Sequence, residues 1–287
     1  MPFLFPGFLK KAVTFSYDDG ARQDIRLSAC FRRYGMKATF NLNSGYLGAT
    51  GKLLHEGYTL CFDRVRPEEV KTLYQGFEVA AHSVTHPNLC ALGEKAVRRE
   101  VAQDAETLER LSGQCVTGFA YPGGQYDEPL MERLAALGIR YARTIQSTGG
   151  FSLPDRPMAW RPSCHDADGR ALELARRLTE EESGECRLLF IWGHSFELDK
   201  DDFDRWGHLE RLCALLSGRE DIWYATSGGI CSYLQAAGTV ERDVHGHLIN
   251  RSAEPVFWEK NGKRMILPGA ERYNGAARCR AVSAGMP

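Results

Sequence analysis

No stretch of this sequence approaches the roughly 20 apolar residues that a membrane-spanning helix requires. It has no run of basic residues and no glycine loop of the phosphate-cradling kind. Net charge is almost absent: 36 Lys and Arg face 37 Asp and Glu, a formal −1 over 287 residues. Such a balance steers toward neither nucleic acid nor an anionic membrane. Cysteines number nine, but none are spaced C-x-x-C. That argues against a zinc knuckle or a disulfide framework and fits reduced, mostly buried thiols. The opening "MPFLFPGFLKK" carries two prolines and no leading positive charge, and it runs into a strand without a small-residue cleavage site. We therefore expect no signal peptide and a cytoplasmic protein.

What is present is an alternation. The segments "KAVTFSY", "KATFNLN", "FEVAA", "VTGFAY", "IRYART", "MAWRP", "RLLFIW" and "DIWYAT" have strand character. Helical patterns stand between most of them. "DIRLSACFRRYG" aligns Leu27, Phe31 and Tyr34 and ends at Gly35, while "DEPLMERLAALG" offers Asp127 as a cap and Pro129 in its first turn. Seven or eight β-α repeats argue for an α/β fold with a parallel sheet, most simply a (β/α) barrel, with an open doubly wound sheet as the alternative. After about Gly238 the pattern changes. "VFWEKNGKRMIL" reads as a β-hairpin turning at Asn261–Gly262, and the last dozen residues read as poorly ordered. The expected division is a barrel domain over 1–238 and a C-terminal β extension and tail over 239–287.

In such folds chemistry gathers where strands end. The first strand ends in "YDDG", with adjacent carboxylates Asp18 and Asp19. An isolated Asp-Asp-Gly is most often a turn. A cation beside one acid would relieve their repulsion and leave the other free as a base. "HSVTHP" follows another strand with His82 and His86 at i and i+4, which one helical turn would put on one face. One carboxylate with two imidazoles suits catalytic zinc and equally non-haem Fe(II). Further strand ends carry Gly123 in "FAYPGG", His194 in "IWGHS" and Trp160 in "MAWRP". Alone, each of these reads as readily as turn or core.

Together these strand ends resemble the polysaccharide deacetylase family, also called the NodB homology domain or carbohydrate esterase family 4, over roughly residues 11–235. "TFSYDDG" is similar to the family's first motif, and "HSVTHP" matches its second fully. The resemblance implies a distorted (β/α) barrel of seven or eight strands, here with a short C-terminal β-hairpin extension. It implies Asp18 as catalytic base, Asp19, His82 and His86 as metal ligands, and His194 as general acid. The metal would be zinc, with cobalt, manganese or nickel as alternatives. Gly123 would supply an oxyanion-binding N–H, and Trp160, Trp192 and Arg161 are candidates for substrate binding.

Two departures stand out. Ala120 occupies the place of the family's third-motif Arg, and Arg161 is the candidate to reach in. Ala159 occupies the place of the Asp that orients the acid histidine, for which Glu197 and Asp199 are candidates. The function implied is metal-dependent removal of N- or O-linked acetyl groups from a carbohydrate. The alternatives are hydrolysis of another amide or imide, or a sugar-binding homologue without catalysis.

Overall fold

A computed structural model describes residues 3–270. Eight strands build the central sheet: β1 (Lys11–Asp18), β2 (Ala38–Leu42), β3 (Glu78–Ala81), β4 (Gly118–Ala120), β5 (Tyr141–Arg143), β6 (Cys164–His165), β7 (Arg187–His194) and β8 (Ile222–Tyr224). Their order is β5-β4-β3-β2-β1-β7-β6, with β8 pairing the lower half of β1. All the pairings are parallel. Every residue of β1 is buried, as is most of β7. Burial this continuous, which on β1 takes in Lys11, Thr14, Ser16 and Asp18, belongs to parallel strands covered on both faces.

The sheet curls. Segment 160–166 bridges its two edges: the Thr144 N–H donates to the Trp160 carbonyl (2.9 Å), and the Asp166 N–H donates to the Trp192 carbonyl (2.8 Å). The expected distorted barrel is therefore what forms. "MAWRP" contributes less strand than its composition suggests, a 3-10 turn over Pro157–Ala159 and a single bridge from Trp160 to Arg143.

Six helices of three turns or so and longer cover the outside: α1 (Asp24–Tyr34), α2 (Glu94–Ser112), α3 (Glu128–Ala136), α4 (Ala171–Glu180), α5 (Arg205–Leu216) and α6 (Ser227–Gly238). Their ends follow local rules. Gly35 closes α1 at φ 69°, a left-handed conformation that glycine adopts without penalty. Asp127 caps α3 by accepting from the Leu130 N–H at 2.8 Å. Helix α6, which the sequence pattern did not expose, is capped by Thr226 and presses on β1 and β2.

The C-terminal hairpin pairs Val256–Lys260 with Lys263–Leu267, as expected from its Asn-Gly turn, and Phe3–Leu4 adds a third strand. The tail expected to be poorly ordered lies outside the described residues. A second hairpin was not foreseen: Lys52–His55 pairs antiparallel with Tyr58–Cys61, rising from the connection after β2. Among the described residues no helix is long and apolar enough to cross a membrane. Among the described residues seven cysteines are free thiols, and Cys30, Cys164, Cys213 and Cys231 among them are buried.

Candidate active site

The carboxyl ends of β1, β3, β4 and β7 open into a cleft of about 580 Å³ lined by Asp18, Asp19, His82, His86, Gly123 and His194, among others. Asp18 is the last residue of β1 and Asp19 the first beyond it, so the chain aims the two acids differently. Asp19 takes φ 81° and is followed by Gly20 at φ 64°. His82 and His86 do not lie on a helical turn, as their spacing had suggested. A loop with Ser83 at φ 67° and His86 at φ 55° folds back instead, bringing the two rings to 4.8 Å. Three non-glycine residues in the left-handed region each cost on the order of 1–3 kcal/mol, and such conformations gather at functional sites.

Donor atoms of Asp19, His82 and His86 all lie within 4.8 Å of one another. The His82 Nδ1 lies 2.8 Å from the Ala120 carbonyl, which fixes that nitrogen as the N–H and leaves the Nε2 lone pair facing Asp19 at 3.9 Å. Backbone contacts of this kind commonly orient metal-binding histidines. Asp104, fully buried on α2, accepts from the His82 N–H (2.9 Å) and the Ser44 N–H (2.8 Å). Asn43 holds the His82 and Ser83 carbonyls at 2.7 and 3.0 Å. The donor set and its backing fit a divalent cation.

Asp18 adjoins that triad, its Oδ2 3.9 Å from the His82 Nε2, but it is bound by other partners. The Asn41 Nδ2 donates to its Oδ1 at 2.8 Å, and Arg143 donates to its Oδ2. Burial alone would raise this carboxyl, but Arg143, His82 and His194 bring it down to about 2. Arg143, only 1 % exposed, also lies over the Trp192 ring at 4.6 Å. The guanidinium missing from the third-motif position thus arrives from the end of β5. Arg161, the candidate for that place, is exposed, and the cation beside Asp18 is Arg143.

His194 ends β7 in register with Asp18, its Nε2 3.9 Å from Asp18 Oδ2. Its Nδ1 faces Glu197 Oε1 at 3.3 Å. Burial pushes the imidazole down, but the Glu197 contact and the charges of Asp19 and Asp18 outweigh it and raise the pKa to about 9. Burial likewise opposes ionisation of Glu197, yet His194, His165 and Lys200 hold it at about 2. Of the two candidates, Glu197 backs the histidine. Asp199 turns away, accepting from the Trp206 Nε1 (2.9 Å) and the Gln23 Nε2 (2.7 Å). Glu197 also receives His55 (2.9 Å) and His165 (3.4 Å), so three imidazoles surround one carboxylate.

The two tryptophans part company. Trp192 is 9 % exposed and lines the cleft. Trp160 belongs to the core: it is 1 % exposed and wedged between Tyr141 (5.6 Å) and Phe190 (5.0 Å), because its bridge to β5 turns the ring toward the packing under α6. Asn41, Asp104 and Arg143 went unread because nothing local marks them; only strand register brings them here. His165 had a faint signal in "SCHDAD", a histidine at a strand end among acids.

The polysaccharide deacetylase family model matches residues 7–142 of the chain. Among solved structures, a Mycobacterium smegmatis protein assigned as a polysaccharide deacetylase superposes with a TM-score of 0.59 at 18 % identity, over 85 % of this chain and 96 % of that one. A Bacillus anthracis pseudoenzyme of carbohydrate esterase family 4, solved as a mutant with restored activity, gives a TM-score of 0.51 at 16 % identity, over 77 % and 68 %. At these identities the likeness is one of fold, and the second shows that the fold also houses pseudoenzymes. The Streptococcus pyogenes deacetylase is matched over 46 % of this chain and 55 % of its own, at 20 % identity and a TM-score of 0.40.

Proposed function

We propose that the protein is a metal-dependent hydrolase that removes N- or O-linked acetyl groups from a carbohydrate. The observation that carries the reading is a division of labour between neighbours: Asp19 converges with His82 and His86, while Asp18 is held separately by Asn41 and Arg143. Asp19, His82 and His86 would hold a divalent ion, zinc before cobalt, manganese or nickel. Bound there, it would acidify water and polarise an acyl oxygen.

The remaining chemistry belongs to the chain. Asp18, anionic throughout the neutral range, takes a proton from the water whose oxygen attacks the acetyl carbon. The Gly123 N–H is offered to the oxyanion that develops. Gly123 stands at φ 61°, where an added Cβ would meet the Gln125 amide oxygen at 2.7 Å, so the turn calls for glycine. His194, protonated at neutral pH and steadied by Glu197, donates to the leaving nitrogen or oxygen as the C–N or C–O bond breaks. Trp192 supplies an aromatic wall against which the acetyl group or a sugar face packs.

Two features support a working catalyst over a sugar-binding remnant. The places left open at Ala120 and Ala159 are filled in space by Arg143 and Glu197. Strained backbone at Asp19 and His86 is also costly to retain in a site with no ligand to hold. The test is acetate release from acetylated sugars by zinc-loaded protein, alongside metal content by mass spectrometry. Acetate produced by wild type but not by Asp18→Asn, with zinc near one per chain in both, is expected. Zinc bound but acetate formed at equal rates by Asp18→Asn would contradict the role given to Asp18.

A further inference from the structure

The unforeseen hairpin is one wall of the cleft: Ala49, Gly51, Leu53 and His55 from this arm line it together with Trp192 and Phe196. A ladder carries the arm out from Gly48–Val65 (2.9 Å) through Gly51–Phe62 (2.9 Å) to the paired residues His55 and Tyr58. Glu56 (φ 49°) and Gly57 (φ 86°) make the tight tip, the left-handed pair that a two-residue hairpin turn needs.

The tip is fastened down. His55 Nε2 sits 2.9 Å from Glu197, and Glu56 accepts from Lys200 at 2.6 Å, with the Lys200 side chain 1 % exposed. Phe62 meets the Phe196 ring edge-on at 4.7 Å, and Leu60 is buried with Ala21 and Phe196. Exposed ion pairs contribute little on their own. Here they accompany a small apolar cluster, and all of it is braced against residues 196–200, directly after His194.

That placement has a consequence for the substrate. On the reading proposed above, the bond breaks at His194, so the leaving group departs on the side where the arm is braced. A polysaccharide held by an internal residue needs room beyond the reacting ring in both chain directions, and the arm, with Leu53, Phe62 and Phe196, lines part of that space. The cleft's 580 Å³ lies in the range of about 300–1,000 Å³ typical of sites for one small molecule, room for one or two sugar rings.

We infer that the hairpin arm makes this enzyme selective for short acetamido sugars, mono- or disaccharides whose leaving amine lies at a chain end, over the interior of a polymer. The inference rests on the deacetylase reading. Its test is kcat/KM for acetate release along N-acetylglucosamine oligomers of one to six rings. A preference for one or two rings over the longest by at least about tenfold is expected, the discrimination a shape-limited pocket achieves. A companion variant replaces Leu53–Leu60 by Asn-Gly, closing the register pair Lys52–Cys61 with a two-residue turn. It should bring the long and short substrates within a few-fold of each other.

Should that variant misfold, Glu56→Ala releases the tip at an exposed residue and should shift the ratio in the same direction. Wild-type kcat/KM that holds level or rises with chain length overturns the inference and leaves the deacetylase reading standing. Acetate from none of the series contradicts that reading instead. Calorimetric binding of the same oligomers to the zinc-loaded protein then decides the cleft's length: preference for short chains supports the arm's role, and affinity rising with length overturns it.

Discussion

Asp18 and His194 are register partners at the ends of adjacent parallel strands, with Asp18 Oδ2 3.9 Å from His194 Nε2. The sheet itself, through eight consecutive pairs from Lys11–Arg187 upward, sets the spacing between a proposed base and a proposed acid. Each is then biased by a separate partner, Asp18 by Arg143 and His194 by Glu197. Mutations at the two partners should therefore move opposite limbs of the pH profile.

Glu197→Gln removes the charge that raises His194. The His194 pKa then falls from about 9, so the alkaline limb of kcat/KM should move to lower pH. The pH profile of acetate release checks this. A limb that stays in place would mean that another group is the acid.

Arg143→Ala should act at the other end. Without the guanidinium, burial dominates and the Asp18 pKa rises from about 2, carrying the acid limb upward. Leaving a buried carboxylate unpaired should also cost about 3–5 kcal/mol of stability, read from urea unfolding. Arg161→Ala, at an exposed position, should leave that acid limb where it is.

His86→Ala should weaken zinc binding by more than the roughly 10–100-fold governed by outer-sphere partners. Competition with a chelator measures it. Unchanged affinity would mean that these imidazoles and Asp19 do not share an ion.

Stability should vary with pH through Asp24. Burial pushes its pKa from 3.8 up to about 7, and the Tyr74 Oη donates to it at 2.6 Å. Between those pH values the native state keeps a proton that the unfolded chain has lost, so stability declines as pH rises from about 4 to about 7. Asp104, raised to about 7 by burial, adds to the decline. Asp18 and Glu197 act oppositely: their contribution is present above their unfolded values and is lost as pH falls toward about 2. Asp24→Asn should flatten the slope between pH 5 and 7 in melting experiments, whereas an unaltered slope would assign the effect elsewhere.

The two tryptophans separate packing from binding. Trp160→Ala should cost about 3–5 kcal/mol, as expected for a buried aromatic, and spare kcat/KM under conditions where the protein stays folded. Trp192→Ala should lower kcat/KM, because Trp192 both lines the cleft and lies under Arg143.

Most of the candidate site was legible in the sequence because the acids, imidazoles and glycine turn stand within short strand-end segments whose spacing is local. The β-α alternation was legible for the same reason: strands such as Arg187–His194 carry local apolar runs. What stayed hidden depends on register. Nothing near Arg143 says that β5 will carry it beneath Asp18, and the nearer-looking Arg161 points to solvent. Spacing also misled at His82 and His86, where four residues suggested a helical turn and the chain used left-handed residues instead. The arm escaped notice because its strands are four residues each and largely solvent-facing, without a buried alternation to reveal them.

The measurement that bears most directly on the whole account is acetate release by the purified protein from an acetylated sugar, followed through chelation and zinc restoration. The account predicts acetate with zinc, none after chelation, recovery on adding zinc back, and no recovery in His86→Ala. Acetate release indifferent to chelation, or its absence from zinc-loaded protein across N- and O-acetylated sugars, would contradict it.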